Sequence, residues 1–390
     1  MKLKYNVPLL YITASLMWGR FFIPILALFY IASQVPLEQF SIILSVFALS
    51  ILILEIPSGV IADLLGKKKT LIISRAFYIA EIFLIAFYNG FWIFLIAKII
   101  SGIGVSLSSG TDSALLYDTL KVQDKERAYK RVAGNLFTVS NISKAFVFIV
   151  GAFLFTINYK LPAIVSLPFI ILGFILTFFI KEPYVYETKF NLKNSIGHLK
   201  ESVKFFWNSR YIKHIAFFSF LTTAPITIIL SLSSAYFEEI LIPIYLMGAI
   251  AFLSSMVTAY TSKKAHSLEE KLGQKKSLFL IQFLIIIGIF LVSLISPYLG
   301  LLFYFVIPFT AGFYQVIIND YIHCQIESDH RATLISIKNF FENLGIFLLF
   351  PLVGLLIKVK SMGFSLLIFG IIITIGYFLV YLYSRKVEKF

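Results

Sequence analysis

The sequence predicts an all-α membrane protein with twelve transmembrane helices, arranged as two parallel halves of six. Three observations predict this fold class: the apolar composition, about twelve apolar stretches of membrane-spanning length, and basic residues gathered on one side of the resulting topology. The chain of 390 residues is 59% hydrophobic and only 14% charged. A water-soluble protein of this length has too much surface to hide so many apolar residues, so lipid is the expected solvent.

Each apolar stretch approaches the roughly 20 residues that an α-helix needs to cross the hydrocarbon core of a bilayer. Backbone polar groups find no water in lipid, so these stretches are expected to be helices. The first stretch continues through Arg20 without a convincing cleavage site and is interpreted as a retained helix rather than a signal peptide. The predicted spans are 7–32, 38–62, 70–88, 91–119, 130–157, 161–180, 212–236, 241–262, 277–296, 298–322, 333–357 and 362–383.

The 34 lysines and arginines test this topology, because cytoplasmic segments of membrane proteins carry an excess of them. With both termini inside, most fall in cytoplasmic segments, whereas the external loops hold Lys160, Lys358 and Lys360. The net charge of +14 is therefore interpreted as an orientation signal, and no nucleic-acid partner is expected. We predict a monomer in the cell (plasma) membrane, with both termini in the cytoplasm.

The chain repeats itself at an offset of roughly 200 residues. The matching segments are LGKKKTL (65–71) with LGQKKSL (272–278), SSGTDSALLYDTL (108–120) with TAGFYQVIINDYI (310–322), and RAYKRVAGNLF (127–137) with RATLISIKNFF (331–341). A duplicated six-helix unit is typical of secondary transporters. We therefore predict an N-terminal six-helix bundle over 1–180, a cytoplasmic linker with an amphipathic helix over 181–211, and a C-terminal six-helix bundle over 212–390.

The stretch GVIADLLGKKKTL (59–71) separates the second and third predicted spans. A glycine permits a tight turn, the lysines hold the loop in the cytoplasm, and the acid can face a helix N-terminus. Together with twelve spans and the duplication, this stretch resembles the G-x-x-x-D-x-x-G-R-K loop signature of the major facilitator superfamily, with lysine in place of the arginine. The corresponding positions are Gly59, Asp63, Gly66, Lys67 and Lys68.

The resemblance to this family implies a cytoplasmic gate. In the family, the acid of the loop docks at the start of helix eleven, and its basic residue pairs with an acid that ends helix four. Here the resemblance implies a cluster of Asp63, Lys67 and Asp118 that closes the cytoplasmic side when the cavity faces outward. In addition, KIISGIG (98–104) resembles the R-x-x-x-G-x-G pattern that the family links to proton coupling, with Lys98 in place of the arginine.

Ionisable residues inside the predicted spans are expensive in lipid, so they mark functional positions or ion pairs. A rise of about 1.5 Å per residue places Glu55 and Arg75 at similar depth on adjacent helices, and we interpret them as a structural ion pair. In the family, helices one, four, seven and ten surround the cavity, so the resemblance implies that Arg20 and Asp112 are the leading cavity candidates, with a permanent ion pair as the alternative. The predicted substrate or proton pathway consists of Arg20, Lys98, Asp112, Lys144 and Glu342.

The predicted activity is secondary active transport of a small molecule by alternating access. The leading interpretation is proton-coupled export of an amphipathic or aromatic compound, with Asp112 carrying the proton and Glu342 in reserve. The alternatives are uptake of a small organic anion, attracted by Arg20, Lys98 and Lys144, and a transport-like membrane sensor or channel. The sequence carries no phosphate loop or hydrolase motif, so no enzyme activity, cofactor or metal site is predicted.

Overall fold

The computed structural model describes most of the chain as helices joined by short connections. The described residues are 3–183, 206–207, 209–294, 297–324 and 331–384. Most of the linker predicted over 181–211, together with its amphipathic helix, lies outside these residues.

Fifteen α-helices make up the part of the chain that the structure describes. In chain order they are α1 (Asn6–Met17), α2 (Leu26–Ala32), α3 (Leu37–Leu65), α4 (Lys67–Phe87), α5 (Phe91–Ser108), α6 (Thr111–Lys121), α7 (Tyr129–Ile157), α8 (Leu161–Thr177), α9 (Arg210–Glu239), α10 (Ile244–Leu272), α11 (Gln274–Leu294), α12 (Pro297–Tyr304), α13 (Val306–Cys324), α14 (Arg331–Val359) and α15 (Met362–Ser384).

Ten helical segments among the described residues are long and apolar enough to cross a membrane. The first and sixth predicted spans account for the difference from twelve. The first span is interrupted between α1 and α2, and the sixth corresponds to α8, which has 17 residues. Apolar helices lie at both predicted places. The first span is shorter because of its internal break, and the sixth is shorter because its helix ends early.

The chain forms two compact units. Unit one consists of Met1–Val35, Leu49–Phe190 and Ile242–Phe252; unit two consists of Pro36–Ala48, Asn191–Leu241 and Leu253–Phe390. Each unit thus includes a short segment from the other half of the sequence. Within unit one α4 packs on α5 and α8, and within unit two α9 packs on α14. The boundaries of the two six-helix bundles stay a prediction.

The internal repeat has a structural counterpart at two helix starts. Gly66 precedes α4 with a φ of 87°, and Gly273 precedes α11 with a φ of 76°. Side chains with a Cβ are disfavoured at such positive φ values, whereas glycine adopts them readily. The glycine shared by LGKKKTL and LGQKKSL therefore allows the same kind of turn before both helices.

Candidate functional site

A break in the first membrane helix positions the first candidate site residue. The α-helix α1 ends at Met17, and a 3₁₀ turn at Ile23–Ile25 leads into α2, which begins at Leu26. Between them the backbone N–H of Phe21 donates to Ser166 Oγ on α8 (3.0 Å). Irregular backbone at membrane depth is tolerated where protein groups satisfy it, and broken helices in transporters mark binding sites. Arg20 lies within this break.

A buried carboxylate in unit one holds two cations. Glu81 on α4 is 0% exposed and accepts hydrogen bonds from Lys98 Nζ (2.6 Å) and Ser101 Oγ (2.7 Å), both on α5. Arg20 Nη1 lies 3.7 Å from Oε2 of the same Glu81 carboxylate. Among the described contacts, two cations therefore share this one carboxylate.

The Arg20 guanidinium is only partly neutralised by this cluster. Its central carbon lies 4.3 Å from the centre of the Tyr78 ring, a cation–π geometry. Its buried Nε has no hydrogen-bond partner among the described residues. A buried donor without an acceptor is costly, so this nitrogen is a position at which a bound acceptor would add stability.

Lys144 on α7 is held by aromatic rings. Its Nζ lies 4.9 Å from the centre of the Trp18 ring and 5.3 Å from that of Phe148. The described structure gives this ammonium no carboxylate and no hydrogen-bond acceptor. Because Trp18 lies in the break of the first helix, Lys144 and Arg20 both border that break.

Asp112 lies opposite a different cation in unit one. It stands in the first turn of α6, and its Oδ1 is 3.6 Å from Nη2 of Arg75. The Arg75 guanidinium also donates to Thr177 Oγ1 and, at 3.4 Å, to Thr13 Oγ1. The side chain of Asp112 is 44% exposed, whereas that of Arg75 is 4% exposed. The predicted pairing of Arg75 with Glu55 stays a prediction.

Glu342 lies in a polar cluster of unit two. Its Oε1 accepts a hydrogen bond from the Tyr314 hydroxyl (2.6 Å) and lies 3.2 Å from Lys338 Nζ, one helical turn earlier on α14. Thr223 Oγ1 on α9 donates in turn to the Tyr314 hydroxyl (3.3 Å). One carboxylate thus meets one cation and one hydroxyl, and three helices contribute to the cluster.

The predicted gate residues Lys67 and Asp118 are brought together by the structure. The Lys67 ammonium forms an ion pair and hydrogen bond with Asp118 Oδ2. Burial raises the pKa of the Asp63 carboxyl, and the nearby charge of Lys67 partly offsets that effect. Lys68 Nζ donates to the backbone oxygen of Phe178 (2.7 Å). The role of this cluster as a gate stays a prediction.

Glu182 is a member of the gate cluster that the sequence analysis missed. Its two carboxylate oxygens accept the backbone N–H groups of Lys67 (2.9 Å) and Lys68 (2.7 Å) at the start of α4. A Cβ added to Gly66 would lie 3.4 Å from this carboxylate. An acid at a helix N-terminus satisfies free N–H groups and favours the helix dipole. The signal in the sequence was an acid directly after the sixth span.

A comparison with models of protein families shows the family of this chain. The Major Facilitator Superfamily model matches residues 9–348. The uncharacterized MFS-type transporter YxaM of Bacillus subtilis (strain 168) is 30% identical over 208 residues, which are 52% of this chain and 50% of that protein. The chain thus spans about half the length of this curated relative in the match.

Solved transporter structures share the fold at low sequence identity. A mutant of the nucleoside transporter NupG has a TM-score of 0.84 and 13% identity, covering 98% of this chain and 100% of that chain. The D-xylose-proton symporter has a TM-score of 0.79 and 12% identity, covering 99% and 98%. A bacterial homologue of the human lysosomal transporter Spinster has a TM-score of 0.74 and 13% identity, covering 99% and 98%. These likenesses confirm the predicted all-α membrane fold.

Proposed function

Because the chain belongs to the major facilitator superfamily, we propose that it takes up a small organic anion by alternating access. The protein is a multi-pass membrane transporter and not an enzyme. The proposal concerns the cargo, the direction and the coupling. Among the alternatives drawn from the sequence, it prefers the organic anion to the export of an amphipathic compound.

The observation that carries this proposal is the excess of cations in unit one. Arg20, Lys98 and Lys144 lie in or beside the membrane helices, and Glu81 is the carboxylate that faces the first two. Lys144 contacts two aromatic rings and no carboxylate of the described residues. Charges in a membrane interior are retained where they face a partner or a pathway. A carried anion supplies the missing negative charge.

A second lysine in the same unit supports this interpretation of Lys144. Lys160 lies 5.5 Å from the centres of the Phe29 and Phe94 rings. Its Nζ also donates to the backbone oxygens of Ile85 (2.8 Å) and Tyr88 (2.6 Å). Lys160 therefore combines ring contacts with hydrogen-bond acceptors. Lys144 has the rings alone among the described residues, which leaves its three N–H donors for a ligand.

The rings beside the cations favour an anion with an aromatic part. Trp18 and Phe148 flank Lys144, and Tyr78 lies under Arg20. Aromatic pairs contribute about 0.5–1.5 kcal/mol beyond the burial of their area. An aromatic carboxylate or sulfonate would pair with a cation and stack on a neighbouring ring. The proposed cargo thus keeps the aromatic character of the compound whose export the sequence predicts.

Ligand-induced stabilisation of the purified protein tests the cargo class. Naphthalenesulfonate should raise the unfolding temperature in detergent, whereas its neutral twin naphthalenesulfonamide should not, because only the sulfonate supplies a charge. Lys144→Met should weaken sulfonate binding by about 10- to 100-fold, as expected for one hydrogen bond to a charged group. Counterflow of labelled naphthalenesulfonate in proteoliposomes then distinguishes a carrier from a sensor or channel.

Lys160→Met is the matched control, because it removes a ring-bound lysine that already has acceptors. It should leave the sulfonate-induced stabilisation unchanged. Equal stabilisation by the sulfonate and the sulfonamide would contradict the proposal. That result would favour the second candidate, export of a neutral amphipathic or aromatic compound, which the rings around Lys144 also suit.

A further inference from the structure

One face of α7 carries both the lysine of the proposed anion site and a glycine. Lys144, Phe148 and Gly151 lie four and three residues apart along the helix, so they share this face. At one end of the face, the Lys144 ammonium lies 4.9 Å from the centre of the Trp18 ring. At the other end, the backbone of Phe21 approaches Gly151. The break in the first helix therefore lies along the same face that holds the proposed ligand cation.

Gly151 allows the backbone of the break to approach α7 more closely than any residue with a Cβ would permit. A Cβ added to Gly151 would lie 1.9 Å from the carbonyl oxygen of Phe21 and 2.8 Å from its carbonyl carbon. The opposing atoms belong to the backbone, so no side-chain rotation can relieve this clash. With a larger residue at position 151, the break would have to move by about 1 Å to reach an acceptable contact distance.

Helix α8 holds the same segment through a hydrogen bond and ring packing. The Phe21 N–H donates to Ser166 Oγ (3.0 Å), and the Ser166 hydroxyl, which is 0% exposed, donates in turn to the backbone oxygen of Pro162 (2.6 Å). The Phe21 ring packs edge-to-face on Phe169, with 5.1 Å between the ring centres. A Cβ added to Gly19 would lie 2.6 Å from Phe169 Cβ. Both α7 and α8 therefore fix the position of the break.

We propose that Gly151 and Ser166 are positioning residues for anion binding, and that they set the distance between Trp18 and Lys144. The proposal rests on the proposed function in taking the ligand to be an anion with an aromatic part. Phe21 follows Trp18 by three residues in the break, so a displacement of the Phe21 backbone moves the indole relative to α7. Both positioning residues act through this segment and not on the ligand itself.

The binding of naphthalenesulfonate to purified Gly151→Ala tests the role of the glycine. The affinity should fall by about 10- to 100-fold, because a shift of about 1 Å misplaces the ring and the cation that meet the ligand. Gly134→Ala is the matched control on the same helix, since a Cβ at position 134 meets nothing within 4 Å. It makes the same change in helix propensity and should leave the affinity unchanged. Equal affinities of the two variants would overturn the proposal.

Overpacking also lowers stability, and Gly345→Ala measures that effect by itself. A Cβ added to Gly345 would lie 2.7 Å from the backbone oxygen of Phe220, a clash within unit two. This variant should lower the unfolding temperature in detergent but keep the sulfonate affinity of the unaltered protein. A loss of affinity as large as that of Gly151→Ala would overturn the positioning role.

The fluorescence of Trp18 provides a measurement without ligand. The chain has three tryptophans, and the other two are exposed, so Trp92→Phe and Trp207→Phe give a background in which Trp18 alone emits. In that background, Gly151→Ala should change the emission maximum of Trp18 and its quenching by acrylamide, whereas Gly134→Ala should change neither. A Trp18 signal that is the same in both variants would overturn the proposal.

Ser166→Ala tests the same role without overpacking, and it replaces Gly151→Ala if that variant does not fold. The Phe21 N–H loses its acceptor, so the Trp18 signal should change and the sulfonate affinity should fall by about 2- to 10-fold. Thr138→Ala is the control, because it removes an exposed hydroxyl that donates within α7. An unaltered Trp18 signal in Ser166→Ala would overturn the role of Ser166.

The two proposals fail in different ways. Sulfonate binding that depends on Lys144 but on neither Gly151 nor Ser166 would retain the anion cargo and remove the positioning residues. A Trp18 signal that changes in Gly151→Ala, in a protein that binds no sulfonate, would retain the control of Trp18 by α7 and remove the anion cargo.

Discussion

The two units hold their buried charges in different proportions. In unit one Arg20 and Lys98 both contact the carboxylate of Glu81. In unit two Lys338 faces Glu342 one to one, and a tyrosine hydroxyl completes the cluster. The comparison teaches that, among the described contacts, two cations meet one carboxylate in unit one, whereas one cation and one hydroxyl meet one carboxylate in unit two.

The same contrast separates the two acids that the sequence analysis considered as proton carriers. Asp112 is 44% exposed and faces Arg75, and a guanidinium keeps its charge in proteins. Glu342 is 15% exposed and faces a lysine and a tyrosine. Which of these two acids carries a proton stays a prediction.

The largest expected effect is on the positive cluster of unit one. Glu81→Gln leaves Arg20 and Lys98 without their carboxylate, and breaking a buried ion pair in this way costs about 3–5 kcal/mol of unfolding free energy. The unfolding temperature in detergent should fall accordingly. Adding Lys98→Met to the same chain should recover part of the loss, because it removes one of the two cations that contact Glu81. Strictly additive losses would show that Lys98 and Glu81 are not energetic partners.

A smaller effect is expected for the exposed acid. Asp112→Asn removes the partner of a buried guanidinium, and we expect a loss of about 1–3 kcal/mol in unfolding free energy. The unfolding temperature in detergent should fall accordingly, and unchanged stability of Asp112→Asn would contradict an energetic role for the Asp112–Arg75 pair.

In the gate cluster, Glu182→Ala removes the carboxylate that accepts two N–H groups at the start of α4. The loss of this N-cap should lower the unfolding free energy by about 1–2 kcal/mol. It should also weaken the energetic coupling between Lys67 and Asp118, measured as a double-mutant cycle with and without Glu182. Glu126→Ala, an exposed acid after α6, is the matched control and should leave the coupling intact.

The smallest effect on stability is expected for Lys160, whose ammonium already has hydrogen-bond acceptors. Burial lowers the pKa of Lys160 to about 8. A lysine whose pKa is lower in the folded state binds fewer protons there, so folding stability should rise as pH increases from about 8 toward the ordinary lysine value of 10.5. Because the group is about half exposed, solvent screening limits the gain to less than about 1 kcal/mol. Unfolding temperatures of the unaltered protein and Lys160→Met should diverge over that range, and parallel curves would contradict the prediction.

Hydropathy and charge in the sequence were sufficient to predict the membrane fold. Twelve apolar stretches at membrane-spanning length indicate helices, because lipid leaves no other way to satisfy the backbone. The repeat of LGKKKTL and LGQKKSL correctly pointed to a shared turn, since Gly66 and Gly273 both have positive φ. Family resemblance also named Lys67 and Asp118, which the structure brings into contact.

The partners of the buried charges were decided by tertiary structure. Depth along a helix follows from counting residues, but the direction in which a side chain points depends on how each helix is rotated against its neighbours. Equal depth suggested Glu55 for Arg75, whereas the described contacts of Arg75 include Asp112 and Thr177. Glu81 was not among the predicted site residues, yet it is an acid that contacts both Arg20 and Lys98.

The break in the first helix was also beyond the reach of the sequence. Residues 7–32 are apolar throughout, and apolarity is compatible with a continuous helix. The interruption near Arg20 depends on Ser166 of α8, which accepts the freed N–H of Phe21. The sequence by itself thus determined where the apolar helices of membrane-spanning length lie. Which loops stay inside is still a prediction. Only the tertiary structure decided which charges meet. The reason is that charged side chains and free backbone N–H groups of one helix find their partners on other helices.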